Sequence, residues 1–182
     1  LGIAEAETVL REIEASGNHY IIGPKRGYIL VRIASEFHPQ RILEIGTNVG
    51  YSAILMAKEL PKRARITTIE INPEFAKQAK DNIKRANLEP TIEVLVGDAL
   101  KLIPTLKEEY EFVFIDALKT QYYAYLMALE PFLFRGSMIV ADNVGKSNDK
   151  MQDYLKHVRE SGQYTSRFIM VDDDGVELSI RR

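Results

Sequence analysis

From residue 41 onward the chain alternates short apolar runs with longer stretches whose apolar positions recur every three or four residues. The runs at 41–45, 65–69, 91–96, 111–115 and 137–141 are rich in Ile, Val, Leu and Phe, the texture of strands buried on both faces. Between them the periodicity predicts helices near 51–60, 73–87, 99–107 and 120–130, with Pro104 breaking the third. Pro73 suits a first helical position behind Asn72, and Thr120 suits the N-cap of the Tyr-rich helix after it. Strand–helix repetition of this kind predicts a doubly wound α/β architecture, a parallel sheet with helices on both faces.

The flanks follow other patterns. Ile3, Val9, Leu10 and Ile13 form a helical stripe over 1–16, and Tyr28, Leu30, Val31, Ile33 and Ala34 form another over 27–37, closed by His38-Pro39. Near the far end a polar helix over 149–160 leads into apolar-rich runs at 165–171 and 176–181. The acidic turn Asp172-Asp173-Asp174-Gly175 between them predicts a hairpin, so the sheet ends in an antiparallel pair. No repeat or linker interrupts the 182 residues, which we read as one domain over 1–182.

Composition removes several chemistries. The chain has 26 acidic and 24 basic residues, a net charge of -2 that argues against a nucleic-acid binder held mainly by overall charge. It has no cysteine, so disulfides, thiolate nucleophiles and Cys-type metal sites drop out, and His19, His38 and His157 lack metal-ligand spacing. No apolar run approaches a membrane span, so we expect a cytoplasmic protein without membrane partners. Leu1 in place of an initiator Met leads us to expect further residues ahead of it.

Two clusters of candidate residues sit where strands should end. Glu44-Ile45-Gly46 closes the first strand, and Gly50-Tyr51-Ser52 opens the next helix, a glycine-bearing loop that lets backbone approach a ligand. Asn48 stands where a dinucleotide fingerprint needs glycine, which counts against NAD or FAD. Glu70 ends the second strand, the usual place for a carboxylate that accepts from ribose hydroxyls. Asp98 ends the third, where it suits either an adenine edge or the cap of the next helix. Asp116 and Asp142-Asn143 end the fourth and fifth strands. Two neighbouring carboxylates would repel, and a divalent cation relieves that conflict; carboxylates with an amide oxygen suit Mg²⁺, Mn²⁺ or Ca²⁺. Lys119 lies three residues beyond Asp116, placed as a candidate general base.

The ordered set Leu43 to Gly46, Gly50 to Ser52, Ile69 to Pro73, Gly97 to Ala99, Phe114 to Asp116 with Lys119, Tyr122 and Tyr125, and Ala141 to Asn143 resembles the cation-dependent, S-adenosylmethionine-dependent O-methyltransferases of the catechol and caffeoyl-coenzyme A type, across about residues 23–182. The resemblance implies a seven-stranded, Rossmann-like methyltransferase fold. It implies cofactor contacts from Glu44, Gly46, Gly50, Tyr51, Ser52, Glu70, Asp98 and Asp116, with Ser52 meeting the methionine carboxylate. It further implies metal ligation by Asp116, Asp142 and Asn143, most simply of Mg²⁺, catalysis by Lys119 with Asp116, a small catechol-like acceptor, and a homodimer.

The chain departs from the family pattern at Val144-Gly145-Lys146-Ser147, where many relatives carry Leu, an aromatic residue and Gly, and it has no Trp. Lys146 reads first as a solvated loop lysine, and would suit an anionic acceptor if it faced the site. Alternative readings are methylation of a hydroxylated transfer-RNA base, for which Lys58, Lys62, Arg63 and Arg65 are a weak pointer, and a catalytically silent cofactor-binding module.

Overall fold

Seven strands form one sheet in the order β3-β2-β1-β4-β5-β7-β6 in a computed structural model that describes residues 3–17 and 20–182. The predicted strands appear as β1 (Arg41–Ile45), β2 (Arg65–Glu70), β3 (Ile92–Val96), β4 (Phe112–Ile115) and β5 (Met138–Ala141), all parallel. The hairpin is β6 (Tyr164–Val171) and β7 (Asp174–Arg181), and β7 inserts antiparallel between β5 and β6. Asp172 takes the left-handed conformation the turn requires, at φ 55°.

The two-residue period of the strands divides the core between two faces. Ile42, Ile66, Phe112, Phe114 and Val140 point to one face, where they pack with α1 (Ile3–Ala15), α2 (Gly23–Phe37), α3 (Tyr51–Ala57) and α4 (Pro73–Arg85). Leu43, Ile45, Val113, Ile115 and Ile139 point to the other. There they meet α5 (Ala99–Leu102), α6 (Tyr122–Leu129) and α7 (Gln152–Glu160). Helices on both sides make the sheet doubly wound.

Most predicted ends hold. Asn72 caps α4 by accepting from the backbone of Glu74 and Phe75, with Pro73 at its start, and His38 closes α2 in the left-handed conformation at φ 55°. Two ends differ. Thr120 does not cap α6: it lies inside a 3-10 turn over Lys119–Gln121, and α6 begins only at Tyr122 with no side-chain cap. The helix expected over 99–107 is a single α-turn continued as 3-10 through Ile103–Thr105, because Pro104 has no N–H to extend it. Leu1 and Gly2, expected at the start of α1, and Asn18 and His19 lie outside the described residues. Among the described residues no helix is long and apolar enough to cross a membrane.

Candidate active site

Parallel register brings the candidate residues to one edge. Ile45 pairs with Ile69 and Ile115, and Ile115 pairs with Ala141, so Gly46, Glu70, Asp116 and Asp142 leave the sheet side by side. Two backbone bonds extend the ladder past the strands: Asp116 N–H donates to Ile45 O at 2.9 Å and Asp142 N–H to Ile115 O at 2.9 Å. This edge is where β1 and β4 part in opposite directions, the switch point at which open α/β sheets hold ligands.

A cavity of about 660 Å³ opens there. Gly46, Tyr51, Ser52, Glu70, Asp98, Asp116, Lys119, Asp142 and Asn143 all line it. Glu44 and Gly50 do not. Gly50 starts α3 at φ 86°, and a Cβ there would meet Ala79 of α4 at 3.4 Å, so its work is turning the chain and packing two helices. Gly46 is more tightly constrained: at φ 103°, its absent Cβ would sit 2.0 Å from the backbone oxygen of Asp116.

On the side of β1 and β2, Glu70 is nearly buried, and its carboxylate accepts from Asn48 N–H at 2.7 Å and Asn72 N–H at 2.9 Å. Asp98 caps α5 by accepting from Leu100 N–H at 3.0 Å and also lines the cavity. Ile71 and Leu118, 70% and 58% exposed, contribute apolar wall. The Ser52 hydroxyl donates to Glu44, a fully buried carboxyl that also accepts from Thr68 at 2.5 Å. Burial pushes the Glu44 carboxyl up to about 7, against the pull of those two hydroxyls.

On the side of β4 and β5 the electrostatics are sharper. Asp142 is fully buried, and neither carboxylate oxygen has a hydrogen-bond partner among the described residues. Burial and the neighbouring charge of Asp116 push its carboxyl up to about 7. Lys119 Nζ donates to Asp116 Oδ1 at 2.7 Å and to the Tyr122 hydroxyl at 3.0 Å. Tyr122 is buried and donates to the backbone oxygens of Ile115 and Asp142 at 3.1 and 3.2 Å, which ties the lysine to both strand ends.

Two contributors have no signal in the sequence, and a third, Tyr122, enters it only within the family resemblance. Arg26 of α2 brings its Nε to 3.4 Å from Asp142 Oδ1 and its Nη1 to 2.5 Å from Asp174 Oδ2. Asp174, read only as part of an acidic turn, is buried beside Asn143. Tyr122 serves as the anchor just described. The repeated Asp172-Asp173-Asp174 carried no signal to separate the one buried aspartate from its neighbours.

The basic residues singled out in the sequence lie away from the cavity or are paired. Lys146 is bound to Asp173 at 2.7 Å on the exposed side of its loop, so it presents no unpaired charge to an acceptor. Lys62, Arg63 and Arg65 sit at the entry to β2, the end opposite Glu70, while Lys58 is engaged by Glu59 and Glu7. This basic group lies across the sheet from the cavity.

A family model described as O-methyltransferase matches residues 6–178. The chain belongs to the O-methyltransferase family. Catechol O-methyltransferase B of Danio rerio is 33% identical over 172 residues, 87% of this chain and 64% of that relative. Catechol O-methyltransferase of Sus scrofa is 36% identical over 150 residues, 79% of this chain and 80% of that relative. Among solved structures, an O-methyltransferase from Bacillus cereus in complex with SAH superposes with a TM-score of 0.87 at 27% identity, over 98% of this chain and 91% of that one. The chain spans less than two-thirds of the length of the Danio rerio relative.

Proposed function

We propose that this family member is a metal-dependent O-methyltransferase that moves a methyl group from S-adenosylmethionine to a hydroxyl of a small catechol-like molecule with adjacent oxygens. The observation that carries the metal dependence is Asp142, whose two buried oxygens stand beside the Asp116 carboxylate and, among the described residues, accept no hydrogen bond and have Arg26 Nε, at 3.4 Å from Oδ1, as their nearest cation. Protein interiors rarely leave carboxylate oxygens unsatisfied, and a hard divalent cation fits two carboxylates and an amide oxygen. Asp116, Asp142 and Asn143 would hold it, with Mg²⁺ the simplest choice. When bound, the cation supplies positive charge that makes a neighbouring hydroxyl easier to deprotonate. Among the described residues no three carboxylate or imidazole groups gather as a metal cluster, so the amide of Asn143 is needed to complete the set.

The methyl donor fits the other half of the cavity. Glu70, fixed by two backbone N–H groups, offers oxygens to a ribose diol; Asp98, Ile71 and Leu118 surround the place for the adenine. Gly46, Tyr51 and Ser52 border the methionine part. The acceptor oxygen takes the methyl carbon, the carbon–sulfur electrons remain on sulfur, and the hydroxyl proton goes to the lone pair of Lys119 Nζ in its neutral amine form, which still has two N–H bonds for Asp116 and Tyr122. Tyr122 holds that nitrogen in place. A homodimer is part of the same reading.

The test is transfer of labelled methyl from S-adenosylmethionine to a simple catechol with Mg²⁺ and again with excess chelator. Turnover that disappears on chelation supports the reading; turnover indifferent to chelator overturns its metal dependence. Asp142→Ala should lower turnover by at least about 100-fold, an electrostatic loss of roughly 3 kcal/mol, while S-adenosylhomocysteine affinity by calorimetry stays within about threefold. Equal loss of both would assign Asp142 to general integrity of the fold.

A further inference from the structure

We propose that Asp174, at the start of β7, is a positioning residue that fixes the orientation of the Asn143 amide and so prepares the cation site; the inference rests on the metal-dependent reading above. Asn143 is the weakest of the three candidate ligands on its own terms. Its amide is neutral, and the two ends of the group are opposite in character, with an oxygen that can bind a cation and an NH₂ that cannot. Nothing in the residue itself decides which end faces the cavity.

Asp174 decides it. Its side chain is 3% exposed, and both of its oxygens accept, from donors in three directions. Oδ2 accepts from Asn143 Nδ2 at 2.9 Å and from Arg26 Nη1 at 2.5 Å, and Oδ1 accepts from the Lys146 backbone N–H at 3.0 Å. Once the Asn143 NH₂ is committed to Asp174, its oxygen is the end left for the cavity that Asn143 lines. The backbone is fitted to the same purpose. Asn143 is held in the left-handed region at φ 60°, and a Cβ at Gly145 would come within 2.8 Å of the Asp174 Cα, so loop and hairpin are in direct contact.

The three groups bonded to the Asp174 carboxylate are all donors, the Asn143 amide, the Lys146 backbone N–H and the Arg26 guanidinium, so the site is built around an acceptor. The adjacent aspartates of the turn serve differently: Asp172 pairs with Lys25 at 2.9 Å and Asp173 with Lys146 at 2.7 Å, both in exposed positions. These two pairs tack the hairpin to its neighbours without touching a candidate ligand.

Asp174→Asn is the discriminating variant because it keeps shape and removes only acceptor character. With its NH₂ in the place of Oδ2 it confronts the donors of Asn143 and Arg26; with its NH₂ in the place of Oδ1 it confronts the Lys146 N–H. The experiment titrates Mn²⁺ into the full chain with S-adenosylhomocysteine present and reads free Mn²⁺ by electron paramagnetic resonance. Asp174→Asn and Asp174→Ala should each weaken Mn²⁺ binding by at least tenfold, the usual effect of losing a group that orients a metal ligand. S-Adenosylhomocysteine affinity should stay within about twofold, and Asp173→Asn should leave both affinities unchanged. Mn²⁺ held equally well by the unaltered chain and by either folded Asp174 variant overturns the inference alone. Failure of the unaltered chain to bind Mn²⁺ overturns the metal-dependent reading itself.

Discussion

Glu44 shows how much one buried carboxyl can reveal. Its carboxyl is pushed up to about 7 from an ordinary value of 4.5, so between those values the folded chain holds a proton that the unfolded chain releases. That contribution is complete below about pH 4.5 and is lost as the pH rises through about 7. In Glu44→Gln the amide can still bond to the Ser52 and Thr68 hydroxyls, each able to donate or accept. The variant should match the parent near pH 4.5 and become the more stable of the two by pH 8, by up to about 3 kcal/mol. Urea melts at both pH values, without ligands, check this; a constant difference across the range would mean that Glu44 is ionised throughout. The sequence exposed Glu44 only as part of a resemblance, because a Glu inside an apolar strand is equally compatible with an edge position. Asp116, Asp142 and Asn143 were legible at the end of predictable strands, whereas Arg26 and Asp174 meet beside them from positions 148 residues apart, a separation that no local pattern spans.

At the scale of elements, the glycine after β1 joins two loops. The Gly46 Cα stands against the Asp116 backbone oxygen, so any side chain must push the end of β4 away from β1. Gly46→Ala combines this overlap with a left-handed φ of 103°, and should destabilise the fold by more than about 2 kcal/mol and weaken S-adenosylhomocysteine binding at least tenfold. Gly50→Ala meets only van der Waals contact with Ala79 and should cost less than Gly46→Ala in both thermal melts and calorimetry. Element type was readable almost throughout because burial on both faces leaves long apolar runs. The exceptions are short-range: Thr120 has the chemistry of a cap, but the 3-10 turn at Lys119–Gln121 places it one step too early.

Across the molecule, the sheet divides two apolar clusters and supplies alternate residues to each, so neither cluster can disperse without exposing the other's strands. We therefore expect the described chain to unfold in a single transition, with circular dichroism and tyrosine fluorescence coincident in urea; two separated transitions would show that its parts are stable independently. The order of strands was less legible than their number. Local patterning identifies a hairpin, but only the completed sheet shows that β7 enters between β5 and β6.

That insertion also has a consequence for the order in which the molecule can be made. Synthesis proceeds from the N-terminus, so β6 leaves the ribosome before the strand that must separate it from β5. Until β7 arrives, β5 is an open edge, Asn143 lacks its carboxylate neighbour, and Arg26 has lost one of its two acidic partners. The half of the cavity around Glu70 can be assembled from β1 to β3 on the nascent chain, while the half around Asp142 has to wait for the last strand of the sheet.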